Sequence, residues 1–248
     1  MVSMTLGIFT SLKSRLGKTA EIEERALQNW RTVFEGASII TFEGPLVPFR
    51  DMVKKVESTT DADILMYANG DLIFVDDVRM RMDNIDIARD FLLTGQRIDI
   101  LEDGSKRLHR PSGMDYFVFR RGMFQDLPKV FMGRGYCDSA LVAYCLRRGI
   151  PVVDASFALR VEHQFHDYGH VAGGQNVAYQ GVEALENKCN NSLVDFGPNC
   201  IDATLTLLPD GRVVSNIRRR PGCWRFWHLI TRGGKYWRNP KWEGVDGI

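Results

Sequence analysis

Cysteine is scarce in this chain. Its 248 residues include five, at Cys137, Cys145, Cys189, Cys200 and Cys223. The number is odd and no pair is spaced Cys-x-x-Cys. This argues against a disulfide scaffold and a cysteine zinc site, and makes a reducing compartment the expectation. Long apolar runs are missing as well: no stretch reaches the ~18 residues that would suggest a membrane span. The opening Met-Val-Ser-Met lacks the basic and apolar regions of a secretory signal, so a cytoplasmic location is expected. No internal repeat or low-complexity tract is present. The rest of the composition, 44% apolar and 25% charged, is close to the globular average. Collagen-like, coiled-coil and wholly disordered chains are thereby excluded, and the length allows a sizeable core.

Net charge is also nearly absent, at +1, but that sum hides an asymmetry. Residues 1–211 hold 23 Lys+Arg against 29 Asp+Glu, whereas residues 212–248 hold 9 against 2. The chain reads as an acidic body with a basic tail.

Along the body, short apolar runs alternate with helical patterns. Thr5 to Thr10 reads as a buried strand. Ile22, Ala26, Leu27, Trp30, Val33 and Phe34 have helical spacing within residues 21–34. Strands are expected at Ala37–Phe42, Asp63–Ala68, Arg97–Leu101, Tyr116–Phe119, Pro151–Asp154 and Ala158–Val161. Further helices are expected near residues 84–93 and at 138–148, the latter closed by Gly149 and Pro151. Such alternation predicts an α/β fold with a largely parallel sheet. Ligands in such sheets sit beyond the carboxyl ends of the strands, where Thr10, Glu43, Asn69 to Asp71 and His163 fall.

The stretch from Ala62 to Phe74 is the most informative. An apolar strand delivers Asn69-Gly70-Asp71 onto a short turn, and apolar residues resume at once. A carboxylate there can bind Mg²⁺ or Mn²⁺, whose shells are completed by phosphate oxygens and water, and Gly70 allows close backbone approach. A plain Asn-Gly-Asp turn between two strands explains the same residues. His163, His166 and His170 form a His-x2-His-x3-His cluster after a late strand. Zinc binding would need a fourth ligand that is not evident locally. A polar loop with packed imidazoles is the simpler reading.

Several segments together carry a family likeness. They are Thr10-Ser11-Leu12-Lys13, Arg25-Ala26-Leu27-Gln28-Asn29-Trp30, Asn69-Gly70-Asp71 and Gly95-Gln96-Arg97. Gly113 to Phe119, Gly133 to Leu141 and His163 to His170 complete the set. In order and spacing, over about residues 4–205, the chain resembles small metal-dependent glycosyltransferases of the GT-A fold. It looks most like the inverting type found as a domain of chlorella-virus capsid-glycan enzymes and in related bacterial proteins. The resemblance implies a GT-A-like, Rossmann-like mixed sheet, mainly parallel and flanked by helices, in a domain of residues 1–211 with a C-terminal extension at 212–248. It implies transfer of a sugar from a nucleotide-diphosphate sugar to a hydroxyl of a glycan or lipid-linked glycan, with Mn²⁺ or Mg²⁺ as cofactor.

Site residues follow from the same resemblance. Asp138 is in the position of the general base, although Asp at that point could simply cap the helix that follows. Asp115 is the second candidate. Asp71 with His163 or His166 would hold the metal. Thr10, Lys13, Glu43, Asn69 and Gly70 would meet the nucleotide, and Arg25 and Arg97 the phosphates, for which guanidinium is suited. The family's metal motif is Asp-x-Asp. Asn69 takes its first position, leaving Asp71 as the one ionised ligand. Nucleotidyl transfer and a non-catalytic sugar- or polyanion-binding module are the alternative functions.

The tail lies outside the likeness. Between Arg212 and Lys241 it carries nine Lys or Arg and no acid, with Trp224, Phe226, Trp227, Tyr236, Trp237 and Trp242 nearby. That composition suits a peripheral contact with an anionic membrane or packing of the aromatics on the acidic body. Nucleic acid is not the expected partner.

Overall fold

The computed structural model describes residues 5–13, 17–75, 78–83, 89–166, 174–191 and 197–216. β1 (Leu6–Ser11) leads into α1 (Gly17–Val33), β2 (Ser38–Phe42), α2 (Phe49–Glu57) and β3 (Ile64–Ala68). Next come β4 (Leu72–Val75), α3 (Val78–Asp83), β5 (Leu92–Thr94), β6 (Ile98–Ile100), β7 (Lys106–Leu108) and β8 (Tyr116–Arg120). The chain continues with α4 (Cys137–Arg147), β9 (Val152–Asp154), β10 (Arg160–His163), α5 (Gly174–Gln180), α6 (Val182–Asn191), β11 (Leu205–Leu207) and β12 (Val213–Ser215).

Eight strands form the main sheet in the order β12-β11-β9-β5-β8-β3-β1-β2. Four neighbouring pairs are parallel: β1 with β2, β1 with β3, β5 with β9, and β9 with β11. β8 runs antiparallel to both of its neighbours, and β12 to β11. The fold is thus a mixed, mainly parallel α/β sheet flanked by helices.

Strand alternation separates two cores across this sheet. Phe9, Leu65, Tyr67, Phe117 and Phe119 face α2 and α4. Ile8, Ile64, Met66, Ala68, Tyr116 and Val118 face α1. Strands buried on both faces read as continuous apolar runs, which is why β1, β3 and β8 are legible in the sequence. Burial of each large side chain contributes about 1.5–3 kcal/mol, so these strands form a rigid platform.

The sequence does not announce a second sheet of four strands, β4-β10-β6-β7. α1 fastens it to the first. The Trp30 indole donates to the Leu72 carbonyl at 2.9 Å. The Asn29 amide exchanges two bonds with the backbone of Phe74, at 3.0 and 2.8 Å, completing the free edge of β4. The β3–β4 link, which carries Asn69 to Asp71, is therefore held at both ends.

Two expectations change. The helix expected near 84–93 is not found where the structure describes that span: α3 stops at Asp83 and Leu92–Thr94 form β5. Phe91, Leu92 and Leu93 are all buried, and a short apolar run of this kind fits helix and strand alike. The strand expected at Ala158–Val161 runs from Arg160 to His163, because Ala158 and Leu159 turn back onto Ala155. Beyond residue 211, β12 pairs with β11. Residues 217–248, with most of the basic tail, lie outside the described residues. Among the described residues, no helix is long and apolar enough to cross a membrane.

Candidate functional site

Polar side chains gather where the two sheets meet, beyond the carboxyl ends of β1 and β3. Asp71 lies at the centre and is 1% exposed. Its Oδ2 receives the Lys13 ammonium and the Nε2 of His166 at 2.9 Å, with the Nε2 of His163 at 3.6 Å. The Lys13 ammonium also lies 3.0 Å from the Nε2 of His166. Burial alone would raise the Asp71 carboxyl, but Lys13 and the two histidines outweigh it and hold it well below the usual range. Burial lowers His163, against the pull of Asp71, which favours the neutral imidazole.

Local structure explains this convergence. β10 lies antiparallel to β4 with His163 opposite Leu72, one residue past Asp71. Gln164 locks the register: its backbone N–H donates to the Asp71 carbonyl at 3.1 Å. Its side-chain amide donates to the carbonyls of Ile22 and Asp71 at 3.0 and 3.3 Å. The Lys13 N–H donates to the buried Glu23 carboxylate at 2.5 Å. Packing around Gly70 is tight, since a Cβ there would lie 3.3 Å from the Leu12 side chain and 3.4 Å from that of Glu23.

Asp71, His163 and His166 offer ligand atoms that all lie within 4.8 Å of one another. The second Asp71 oxygen, Oδ1, is buried and has no hydrogen-bond partner among the described residues. Leaving such an oxygen unsatisfied is costly, so this set fits a divalent ion. Two imidazoles and one carboxylate suit a transition ion better than Mg²⁺, which prefers oxygen.

A second cluster surrounds Asp115, which is 5% exposed. One oxygen accepts from the Asn69 amide at 3.0 Å and the other from Arg97. Arg97 also donates to Asp99 at 2.8 Å, and the other Asp99 oxygen lies 2.7 Å from the Nδ1 of His109. The Tyr67 hydroxyl donates to Asn69 at 3.1 Å. Arg97 is thus held between two carboxylates rather than left free for a phosphate. Burial would lower its pKa, but Asp115 and Asp99 raise it.

Asp138 is the third element. It sits in the first turn of α4 without capping it: the cap position is Tyr136, and no side chain caps the helix. Burial, and then the nearby Asp115 charge, push its carboxyl up to about 8. The neighbouring Cys137 thiol lies 3.1 Å away and donates to it. Burial and Asp138 raise that thiol well above its usual value, so Cys137 is no thiolate nucleophile. Tyr136 has φ 68°, the sole positive φ at a non-glycine among the described residues. A left-handed aromatic residue costs about 1–2 kcal/mol. The Gly135 N–H offsets this by bonding Ala178 of α5 at 2.8 Å. The buried Asn187 of α6 adds bonds to Phe131 and Gly135.

These elements share one electrostatic environment. Burial raises the Tyr67 phenol, and the charges of Asp71, Asp138 and Asp115 raise it further. The structure therefore brings together Lys13, Asn69, Gly70, Asp71, Arg97, Asp115, Asp138, His163 and His166. Thr10 is fully buried behind the turn, where a Cβ on Gly70 would lie 3.6 Å from its hydroxyl. Arg25 is exposed on α1 and Glu43 is exposed beyond β2. His170 lies outside the described residues. Sequence reasoning missed Tyr67, Gln164, Asp99 and His109. The available signals were a Tyr closing an apolar strand and an Asp alternating with Ile98 and Ile100.

No family model and no curated protein sequence matches the chain. Among solved structures, it is similar to a glycosyltransferase involved in glycosylation of the major capsid of PBCV-1. The TM-score is 0.31, with 9% identity over 59% of this chain and 69% of that one. It is also similar to Drosophila beta-1,4-galactosyltransferase 7, in complex with manganese, UDP-Gal and xylobiose. Here the TM-score is 0.49, with 10% identity over 85% and 92% of the two chains. A third similar structure is GalNAc-T7 with UDP, GalNAc and Mn²⁺, at a TM-score of 0.44 and 11% identity, covering 79% of this chain and 52% of that one.

Proposed function

We propose that this chain is a glycosyltransferase that moves a sugar from a nucleotide-diphosphate sugar to a hydroxyl acceptor. One observation carries the reading. Two carboxylates in one site are driven in opposite directions, Asp71 well down by its cationic neighbours and Asp138 up to about 8. Such a split assigns different tasks to chemically identical groups. Asp71 stays ionised and, with His163 and His166, holds a divalent ion. Asp138 is able to take a proton near neutral pH.

In this reading Asp138 accepts the proton of the acceptor hydroxyl as it attacks the anomeric carbon, giving an inverting transfer. Asp115 keeps Asp138 basic through its charge, while Asn69 and Arg97 hold Asp115 in place. An ion held by Asp71, His163 and His166 would supply Lewis acidity for the departing diphosphate, and the two imidazoles favour Mn²⁺ over Mg²⁺. The basic segment beyond Asn216 fits an anionic acceptor or membrane surface, as for a lipid-linked glycan.

The test is a donor-hydrolysis and transfer screen of the full chain with UDP-, GDP- and dTDP-sugars in Mn²⁺. Nucleoside diphosphate release that disappears in Asp138→Asn supports the proposal. Pyrophosphate release when a nucleoside triphosphate and a sugar 1-phosphate are supplied in place of the donor would assign nucleotidyl transfer instead, and the absence of turnover with every donor would leave a binding module.

A further inference from the structure

Lys13 occupies the middle of the cation site. Its ammonium contacts Asp71 Oδ2 and His166 Nε2 together, so it touches two of the three residues that would ligate an ion. The Lys13 side chain is 18% exposed, and its own N–H is fixed on Glu23. The head group is therefore seated in the site. Ammonium and a divalent ion cannot share Asp71 Oδ2, because both need its lone pairs and they repel each other. Asn69 is neutral, and Arg97 already occupies Asp115 and Asp99. An ion entering alone would leave the Lys13 ammonium without its Asp71 contact.

Building on the metal-site reading, we infer that Lys13 is a built-in competitor for the cation site: free divalent ions must expel it, and its ammonium passes to the diphosphate that enters with the metal. A diphosphate supplies a new anionic partner for the displaced ammonium. Metal and diphosphate then bind as a pair. By reciprocity each tightens the other, and the donor's diphosphate becomes the signal that loads the metal.

The test is binding, not turnover. Mn²⁺ affinity is measured by calorimetry and by the EPR signal of free Mn²⁺ for the wild type and for Lys13→Met, Lys13→Arg and Asp71→Asn. Each is titrated with bare Mn²⁺ and with preformed Mn²⁺–pyrophosphate, after a thermal melt shows that each variant is folded. Lys13→Met should bind bare Mn²⁺ at least about tenfold more tightly than wild type, equivalent to about 1.4 kcal/mol, and Lys13→Arg should stay close to wild type. Pyrophosphate should tighten Mn²⁺ binding by a larger factor in wild type than in Lys13→Met. If Asp71-dependent Mn²⁺ binding is seen but Lys13→Met gains nothing, or the two pyrophosphate factors are equal, the competitor role is wrong and the metal site stands. If no protein binds Mn²⁺, or Asp71→Asn binds it as wild type does, the metal site falls and the competitor role falls with it.

Discussion

Asn69 donates its side-chain amide to the buried carboxylate of Asp115 at 3.0 Å, and its backbone N–H bonds the Asp115 carbonyl at 2.9 Å. An amide suits this position because it supplies a donor. A carboxylate there would face Asp115 across the same gap with no proton to share.

Asn69→Asp should therefore destabilise the fold at neutral pH by about 1–3 kcal/mol, the cost of a buried polar pair left unsatisfied. Like charges raise one of the two pKa values, so the loss should shrink as the pH is lowered and a shared proton restores the bond. Urea unfolding at pH 7 and pH 5 checks this. An equal loss at both would contradict the proposed repulsion.

Asp138→Asn should lower turnover by about 10²–10⁴-fold, the range for losing a general base. Wild-type turnover should rise with pH through about 8, where Asp138 ionises, and the variant should lack that limb. Stability carries a second signature. Unfolded Asp titrates near 3.9, so between roughly pH 4 and 8 the native state holds a proton that the unfolded state has lost. Native stability should fall as pH rises across that window. Asp138→Asn removes this slope, and its melting temperature should gain most over wild type above pH 8.

Gln164→Leu tests how the cation triad is aligned. The substitution keeps the bulk but removes two side-chain bonds, to Ile22 and Asp71. Supporting residues of this kind typically affect metal affinity 10–100-fold. Mn²⁺ affinity should fall by about that factor while the Asp138 pH limb remains. Unchanged Mn²⁺ binding would show that β10 alone aligns the histidines.

Asn187→Ala tests the seat of the base. Its amide ties α6 to Phe131 and Gly135, next to the strained Tyr136. Losing these bonds should cost about 1–3 kcal/mol and lower turnover more than it changes Mn²⁺ affinity. Urea unfolding and Mn²⁺ titration separate the two effects.

The sequence made the main sheet legible because β1, β3 and β8 are buried on both faces and spell out apolar runs. The pairing of the second sheet was not legible, although a strand was expected at β6: β7 is three residues long, too short to show a period. Asn69, Asp71 and the histidines stood out because polar residues interrupt or follow apolar strands. Their partners did not. Nothing local in the run from Thr10 to Lys13 says that Lys13 reaches Asp71, 58 residues away, and only the parallel pairing of β1 with β3 brings them together. The alternative role for Asp138, capping α4, fails for a similar reason. The preceding turn is set by Tyr136 and by α5, which lies far along the chain.

The cation site draws on segments made at different times. Asp71 follows Lys13 by 58 residues, and His166 follows Asp71 by 95. On a ribosome the strands bearing Lys13 and Asp71 emerge well before either histidine. During that interval Lys13 is already made, and neither histidine is. A metal held by Asp71, His163 and His166 together would have its full ligand set only in the finished fold.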